Sequence, residues 1–324
     1  MLLTLNASSL RRIIDPAGKK RGSIGLIDLP RHTQEVLGLH GLNLPADLLK
    51  GLSRSDLEKV RDAGDKAGCA CLALIEDAPQ KLASVQSKSS EAAADRISRL
   101  IEAARLLGCS AVTVPIEAED SDAAFERLVE ALKRLMPAAD RADMNVLLKP
   151  MPGLTATPER LTEIIKKVGG FRVGTFPDFV TASGMDDPET YTRRVTPYAS
   201  VVNASVFDFD IIEPEPSAAP KKPKKTEEAP ATPEPVDDGE EAKELSGLER
   251  LQADLEALLD EDLEDELEPD YKHKGYDLDP IVAAVTAVGF DGNLGIEYRG
   301  EDDVTMGVLN AKAALERAIE ESSA

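Results

Sequence analysis

Tryptophan is absent from this sequence, aromatic residues make up only 4% of it, and cysteine and histidine occur three times each in 324 residues. Cys69, Cys71 and Cys109 are odd in number and have no zinc-site spacing. They therefore read as small buried hydrophobes in a reducing cytosol, not as disulfide or metal chemistry. His32, His40 and His273 do not fall where a strand would end, so each reads as a solvated or core histidine. No run of about 18 apolar residues occurs, and no membrane span is expected. The N-terminal Arg11-Arg12 pair follows a short apolar stretch, the reverse of a secretory leader, and the expected location is cytoplasmic. Positive charge is scarce, 38 Lys+Arg against 60 Asp+Glu, giving a net charge of −22. That sign opposes binding to a phosphate backbone, so no nucleic-acid partner is expected.

The acidity is concentrated. Residues 213–270 hold 21 acidic and 6 basic residues, a net of −15, and 8 of the 21 prolines. Glu213–Gly239 is rich in Pro, Ala, Glu and Lys and has little to bury, so it is expected to be disordered. Beyond it, Leu245, Leu248, Leu251, Leu255, Leu258, Leu259 and Leu263 recur at helical spacing. This predicts a helix with one apolar stripe and an acidic opposite face. Such a helix either folds back on its own domain or serves as a docking element for a protein partner or a second copy.

Outside the insert, short apolar runs alternate with helical patterns. Strands are expected at Ser23–Leu29, His40–Leu44, Ala70–Ile75, Ala111–Ile116, Asn145–Lys149, Phe171–Thr175, Ala199–Phe207 and Asn293–Tyr298. Helix signals separate them. Ser53-Arg54-Ser55-Asp56 is a capping sequence, and Thr157-Pro158-Glu159 places proline where its missing N–H costs nothing. The helix from Asp122 is expected to end at Met136, before Pro137. Eight strand–helix pairs imply a parallel sheet and, by their number, an α/β fold of the (β/α)8 TIM barrel type. No Gly-rich phosphate turn follows the first expected strand, which disfavours a doubly wound open sheet. The barrel then comprises 1–212 and 271–324, with the insert 213–270 after its seventh strand.

Polar residues at the C-terminal ends of barrel strands point into a site. Here they are Asp28, Asn43, Glu76, Thr113, Lys149, Asp178, Asn203 and Glu297. Glu297 ends an apolar strand and needs a partner, since an unpaired buried charge is costly. Asp178 is a second such carboxylate.

The segment Gly289–Leu315, GFDGNLGIEYRGEDDVTMGVLNAKAAL, resembles the close of the sugar phosphate isomerase/epimerase family, the xylose isomerase-like barrels. VGTFPDF and TPYASVVNASVFDFD resemble that family's sixth and seventh strands, and LPRHTQEVLGLHGLNL and TATPERL earlier segments. The resemblance implies a (β/α)8 barrel and usually one divalent metal. The implied ligands are a Glu, an Asp, a His and a Glu ending the fifth to eighth strands, the two Glu forming an acid/base pair in epimerases. The Asp and the last Glu match Asp178 and Glu297, whereas Lys149 and Asn203 stand at the other two positions.

A protonated lysine cannot ligate a metal, and two carboxylates alone hold one weakly. We therefore expect no metal cofactor. Mn, Mg or Zn would enter only if other residues supply the ligands. Lys149 is expected to lie between Asp178 and Glu297 and neutralise them, with Asn43, Asn203 and Arg299 contacting a sugar or sugar phosphate. Two readings follow: a pseudoenzyme or binding scaffold, or a metal-independent isomerase, epimerase or lyase using Lys149, Asp178 and Glu297.

Overall fold

The computed structural model describes residues 1–212 and 270–323. Met1–Asp210 and the residues from Tyr271 onward form one compact unit. The expected disordered stretch Glu213–Gly239 and the expected Leu245–Leu263 helix lie outside the described residues.

The compact unit is built on parallel strands: β1 (Leu2–Asn6), β2 (Gly41–Pro45), β3 (Ala70–Ile75), β4 (Ala111–Pro115), β5 (Asn145–Lys149), β6 (Val173–Thr175) and β7 (Val201–Val206). A two-stranded sheet follows, of β8 (Phe209–Ile212) and β9 (Asp270–His273), and β10 (Asn293–Tyr298) completes the main sheet. The order in that sheet is β6-β5-β4-β3-β2-β1-β10-β7. Its outer strands are joined by parallel bridges at Thr175–Ala199 and Asp178–Asn203, and the Asn203 N–H donates to the Pro177 carbonyl at 2.8 Å. The sheet thus closes on itself as a TIM barrel.

Strand residues alternate between two apolar clusters, as a period of two requires. Ala73, Ile75, Ala111, Leu147, Phe176 and Val201 form a small cluster inside the barrel. Val112, Val114, Val146, Leu148, Val202 and Ile296 join the large cluster outside, against Ile97, Leu128, Ile164 and Val282 of the helices. Burying one such side chain contributes about 1.5–3 kcal/mol. Gly295 faces the interior at a close approach: a Cβ there would lie 2.5 Å from Asn43 Nδ2.

The helices are α1 (Leu29–Leu37), α2 (Arg54–Ala67), α3 (Ser87–Leu107), α4 (Asp122–Arg141), α5 (Pro158–Val168), α6 (Phe179–Ser183), α7 (Pro188–Val195), α8 (Asp279–Ala287) and α9 (Val304–Ser323). The Ser53–Asp56 capping box is present, as is the Thr157 cap on α5, which accepts from the Arg160 N–H at 3.3 Å.

Three expectations need correction. The first barrel strand is Leu2–Asn6, not Ser23–Leu29. It pairs with β2 on one side and β10 on the other. Within Ser23–Leu29, Ile24 makes only an isolated bridge to Ile14, and Asp28 sits exposed at the start of α1. α4 continues through Pro137 to Arg141, because Ala139 still packs into the core. β6 begins at Val173, since Phe171 is fully exposed.

Candidate active site at the barrel mouth

The C-terminal strand ends place polar side chains on a common face. Asn6 ends β1, Asn43 lies in β2, Glu76 follows β3, Lys149 ends β5, Asp178 follows β6, Asn203 lies in β7 and Glu297 in β10. The parallel register sets Asn203 beside Gly295, and Ser205 beside Glu297.

At the centre, Asn203 Nδ2 donates to Asp178 Oδ2 at 2.7 Å and to Glu297 Oε2 at 2.6 Å. Asn6 Nδ2 donates in turn to Asn203 Oδ1 at 3.0 Å, which fixes the amide orientation. Arg299 Nη2 contacts the same two oxygens, Glu297 Oε2 at 2.7 Å and Asp178 Oδ2 at 3.4 Å. The other oxygen of Asp178 accepts from the Thr181 N–H at 3.0 Å and its hydroxyl at 3.2 Å, capping α6. Buried Asp178 and part-buried Glu297 are thus each hydrogen-bonded and paired with a cation, the condition under which burial is tolerated. Burial opposes the charge on Arg299, but its hydrogen bond to Glu297 and the charges of Glu297 and Asp178 outweigh it and raise its pKa.

The structure corrects the expected role of Lys149. Its amine donates to Asp77 Oδ1 at 3.4 Å, and the cation that touches both Asp178 and Glu297 is Arg299. The reason is local: Asn203 and Arg299 occupy the space between the carboxylates, and Asp77 follows directly on the Glu76 strand end. Asn43 and Asn203 are each 1% exposed. Asn43 donates to Thr4 Oγ1 at 3.1 Å inside the barrel.

Above this network lies a cavity of about 660 Å³. Arg11, Asp47, Asp77, Lys149, Glu297 and Arg299 are among its lining residues. Arg11 donates to Asp47 through Nη1 and Nη2, the latter at 2.9 Å, and this hydrogen bonding raises its pKa. Glu76 is pinned by Arg96 Nε at 2.6 Å and by the Ala78 N–H at 3.0 Å. The Tyr276 hydroxyl donates to the Ser205 carbonyl. Burial and the nearby Asp178 charge push its pKa up.

The sequence singled out Asp178, Glu297, Asn203 and Arg299, and the structure brings these four together. It did not point to Asn6, Arg11 or Asp77. Asn6 would have been found had the short run Leu2–Leu5 been read as a strand. Nothing in the sequence marks Arg11 or Asp77.

Among the described residues no group of three or more His, Cys, Asp or Glu is placed to hold a metal ion, and no helix is long and apolar enough to cross a membrane.

The sequence profile of the xylose isomerase-like TIM barrels matches residues 35–322. The chain belongs to that family. Among solved structures, an L-ribulose 3-epimerase superposes with a TM-score of 0.68 at 12% identity, covering 99% of this chain and 95% of that one. The IOLI protein with a bound zinc atom gives 0.64 at 13% identity and 99% coverage of both chains. A xylose isomerase-like TIM barrel protein from Mycobacterium smegmatis in complex with magnesium gives 0.61 at 16% identity, covering 100% and 98%. No match is found among curated proteins.

Proposed function

We propose that this chain is a metal-independent ligand-binding member of its family, holding a sugar or sugar phosphate at the barrel mouth, without two-Glu epimerase chemistry. One observation carries the reading: Asp178 and Glu297 share two N–H donors, Asn203 Nδ2 and Arg299 Nη2, on the same pair of oxygens. A divalent ion would need those oxygens bare and facing one another, with further O or N ligands around them. Instead, hydrogens point into the space between them, and the guanidinium already supplies the neutralising charge. The fifth-strand position offers a lysine and the seventh an amide. These residues do not fit a divalent metal. Two-base chemistry also lacks its second acceptor, because Lys149 stands where the other carboxylate would be.

The test combines metal analysis of protein purified without chelators with calorimetric titration of ketoses, aldoses and their phosphates. Sugar binding by protein with metal far below one ion per chain supports the reading. One tightly held divalent ion per chain, with metal-stimulated epimerisation, overturns it.

A second reading rests on Lys149 lining the cavity. A lysine there is positioned to form an imine with a sugar carbonyl in metal-independent isomerase, epimerase or lyase chemistry. Borohydride reduction in the presence of sugars, followed by peptide mass spectrometry, separates the two: a sugar adduct on Lys149 favours the enzyme, its absence the scaffold. For a cytoplasmic scaffold, the Leu245–Leu263 repeat is the candidate docking segment for a protein partner or a second copy.

A further inference from the structure

The cavity holds one loosely tied carboxylate among several firmly tied groups. Asp47 is locked to Arg11, Glu76 to Arg96 and the Ala78 N–H, and Glu297 to Arg299 and Asn203. Asp77 differs. Its Oδ1 lies 3.4 Å from Lys149 Nζ and its Oδ2 3.8 Å from Arg11 Nη2, both longer than a well-formed charged hydrogen bond. Its side chain is 52% exposed, whereas that of Lys149 is only 24% exposed. The other cations of the cavity, Arg11 and Arg299, have closer carboxylate partners. Lys149 has Asp77.

We propose that Asp77 stands in for an anionic group of the ligand, so that a phosphate or carboxylate on a sugar displaces it from Lys149, with Arg11 as the second contact. This rests on the reading of the mouth as a sugar site and deepens it by assigning the ligand a negative charge. The exchange is physically cheap. An exposed ion pair at such distances contributes little, so little is lost when Asp77 swings toward water. An incoming oxyanion with several oxygens can meet Lys149 and Arg11 at shorter range than Asp77 does, in charge-assisted hydrogen bonds. Glu76, fixed beside it, holds the backbone while Asp77 moves. Asp77 acts on the free protein as an internal competitor, and its occupancy lowers the apparent affinity for anionic ligands.

The test compares D-fructose, D-fructose 6-phosphate and D-glucuronate by isothermal titration calorimetry on the full-length chain. Wild type, Asp77→Asn and Lys149→Gln are used, with folding verified by circular dichroism. The quantity read is the ratio of anionic to neutral affinity. In Asp77→Asn the ratio is expected to rise about five- to tenfold, the scale of releasing one exposed ion pair and one like charge. In Lys149→Gln it falls toward unity, and in the wild type it shrinks as salt is added. A rise for the phosphate alone or the carboxylate alone identifies which oxyanion the site takes. Neutral sugar bound as well as both anions in all three proteins overturns this inference and leaves the sugar-site reading intact. No binding of any of the three sugars, even by Asp77→Asn, overturns both.

Discussion

Asp178 and Asn203 are joined twice, once by a backbone bridge that closes the barrel between β6 and β7, and once by a 2.7 Å side-chain hydrogen bond beneath the mouth. The seam of the sheet and the centre of the candidate site are therefore one polar unit. Asn203 also ties in Glu297 and receives Asn6, so it links the seam to β10 and β1.

Truncation of Asn203 is expected to be costly. Asn203→Ala removes hydrogen bonds to buried Asp178 and part-buried Glu297 and leaves the Asn6 Nδ2 without its acceptor. Chemical denaturation should show a loss of about 2–4 kcal/mol, the range for breaking a buried polar network. A loss below about 0.5 kcal/mol, the usual scale of surface changes, would mean that the network does not hold the seam.

Restoring the family's ligand types should create a metal site. The double variant Lys149→Glu/Asn203→His returns a carboxylate to β5 and an imidazole to β7, beside Asp178 and Glu297. Thermal melts with Mn²⁺ or Zn²⁺ should show stabilisation of the double variant, about 2.7 kcal/mol at a hundredfold excess over Kd, and none of the wild type. Equal metal-induced shifts in both proteins would count against the proposed mismatch between the residues and a metal.

All three cysteines are buried and free, and burial pushes the thiols of Cys69 and Cys71 up to about 12 and that of Cys109 well above its usual range. Thiolate is the reactive form. Native protein at neutral pH should titrate near zero thiols with a disulfide reagent over minutes, and three after denaturation. Rapid native labelling would show that the start of β3 opens readily.

Acid should weaken the fold through His273. This side chain is buried, accepts from the Phe207 N–H through Nε2 at 2.8 Å, and lies 2.8 Å through Nδ1 from the Tyr276 carbonyl. Burial lowers its pKa, and an accepting Nε2 has no room for a second proton. Above the unfolded value of about 6.5 both states are neutral and the full stability is present. As pH falls below that value, the unfolded state takes up the proton first, and stability drops until the lowered folded pKa is reached. Melting temperature should fall from pH 7 to pH 5, and His273→Gln should flatten that slope. An unchanged slope would assign it to other groups, including His32, whose pKa burial also lowers.

The sequence disclosed the barrel because seven of its strands are apolar runs separated by segments of helical periodicity. Leu2–Asn6 was lost among them because a five-residue central strand at the chain start carries no alternation to distinguish it. Its identity depends on two neighbours, β2 and β10, of which the second lies about 290 positions away. Asp178 and Glu297 were legible as carboxylates at strand ends. Which cation neutralises them was not, because Lys149 and Arg299 both stand at strand ends. The choice depends on which side chain reaches across the closed ring, a fact of geometry and not of local pattern. Asp77 was invisible for the same reason: an acidic residue in a loop has no signature until its partner from another strand is in place.

The pairing of β1 with β10 has a consequence for how the molecule is made. β1 waits for β10 before both of its edges are satisfied, and Asn203 is synthesised 94 residues ahead of Glu297, its hydrogen-bonding partner. A nascent chain that stops short of Asn293 presents open edges on β1 and β7 and an unfinished mouth. Long-range closure of this kind slows folding and leaves partly made chains prone to mispairing. The barrel and its site are therefore completed together, when β10 enters between β1 and β7.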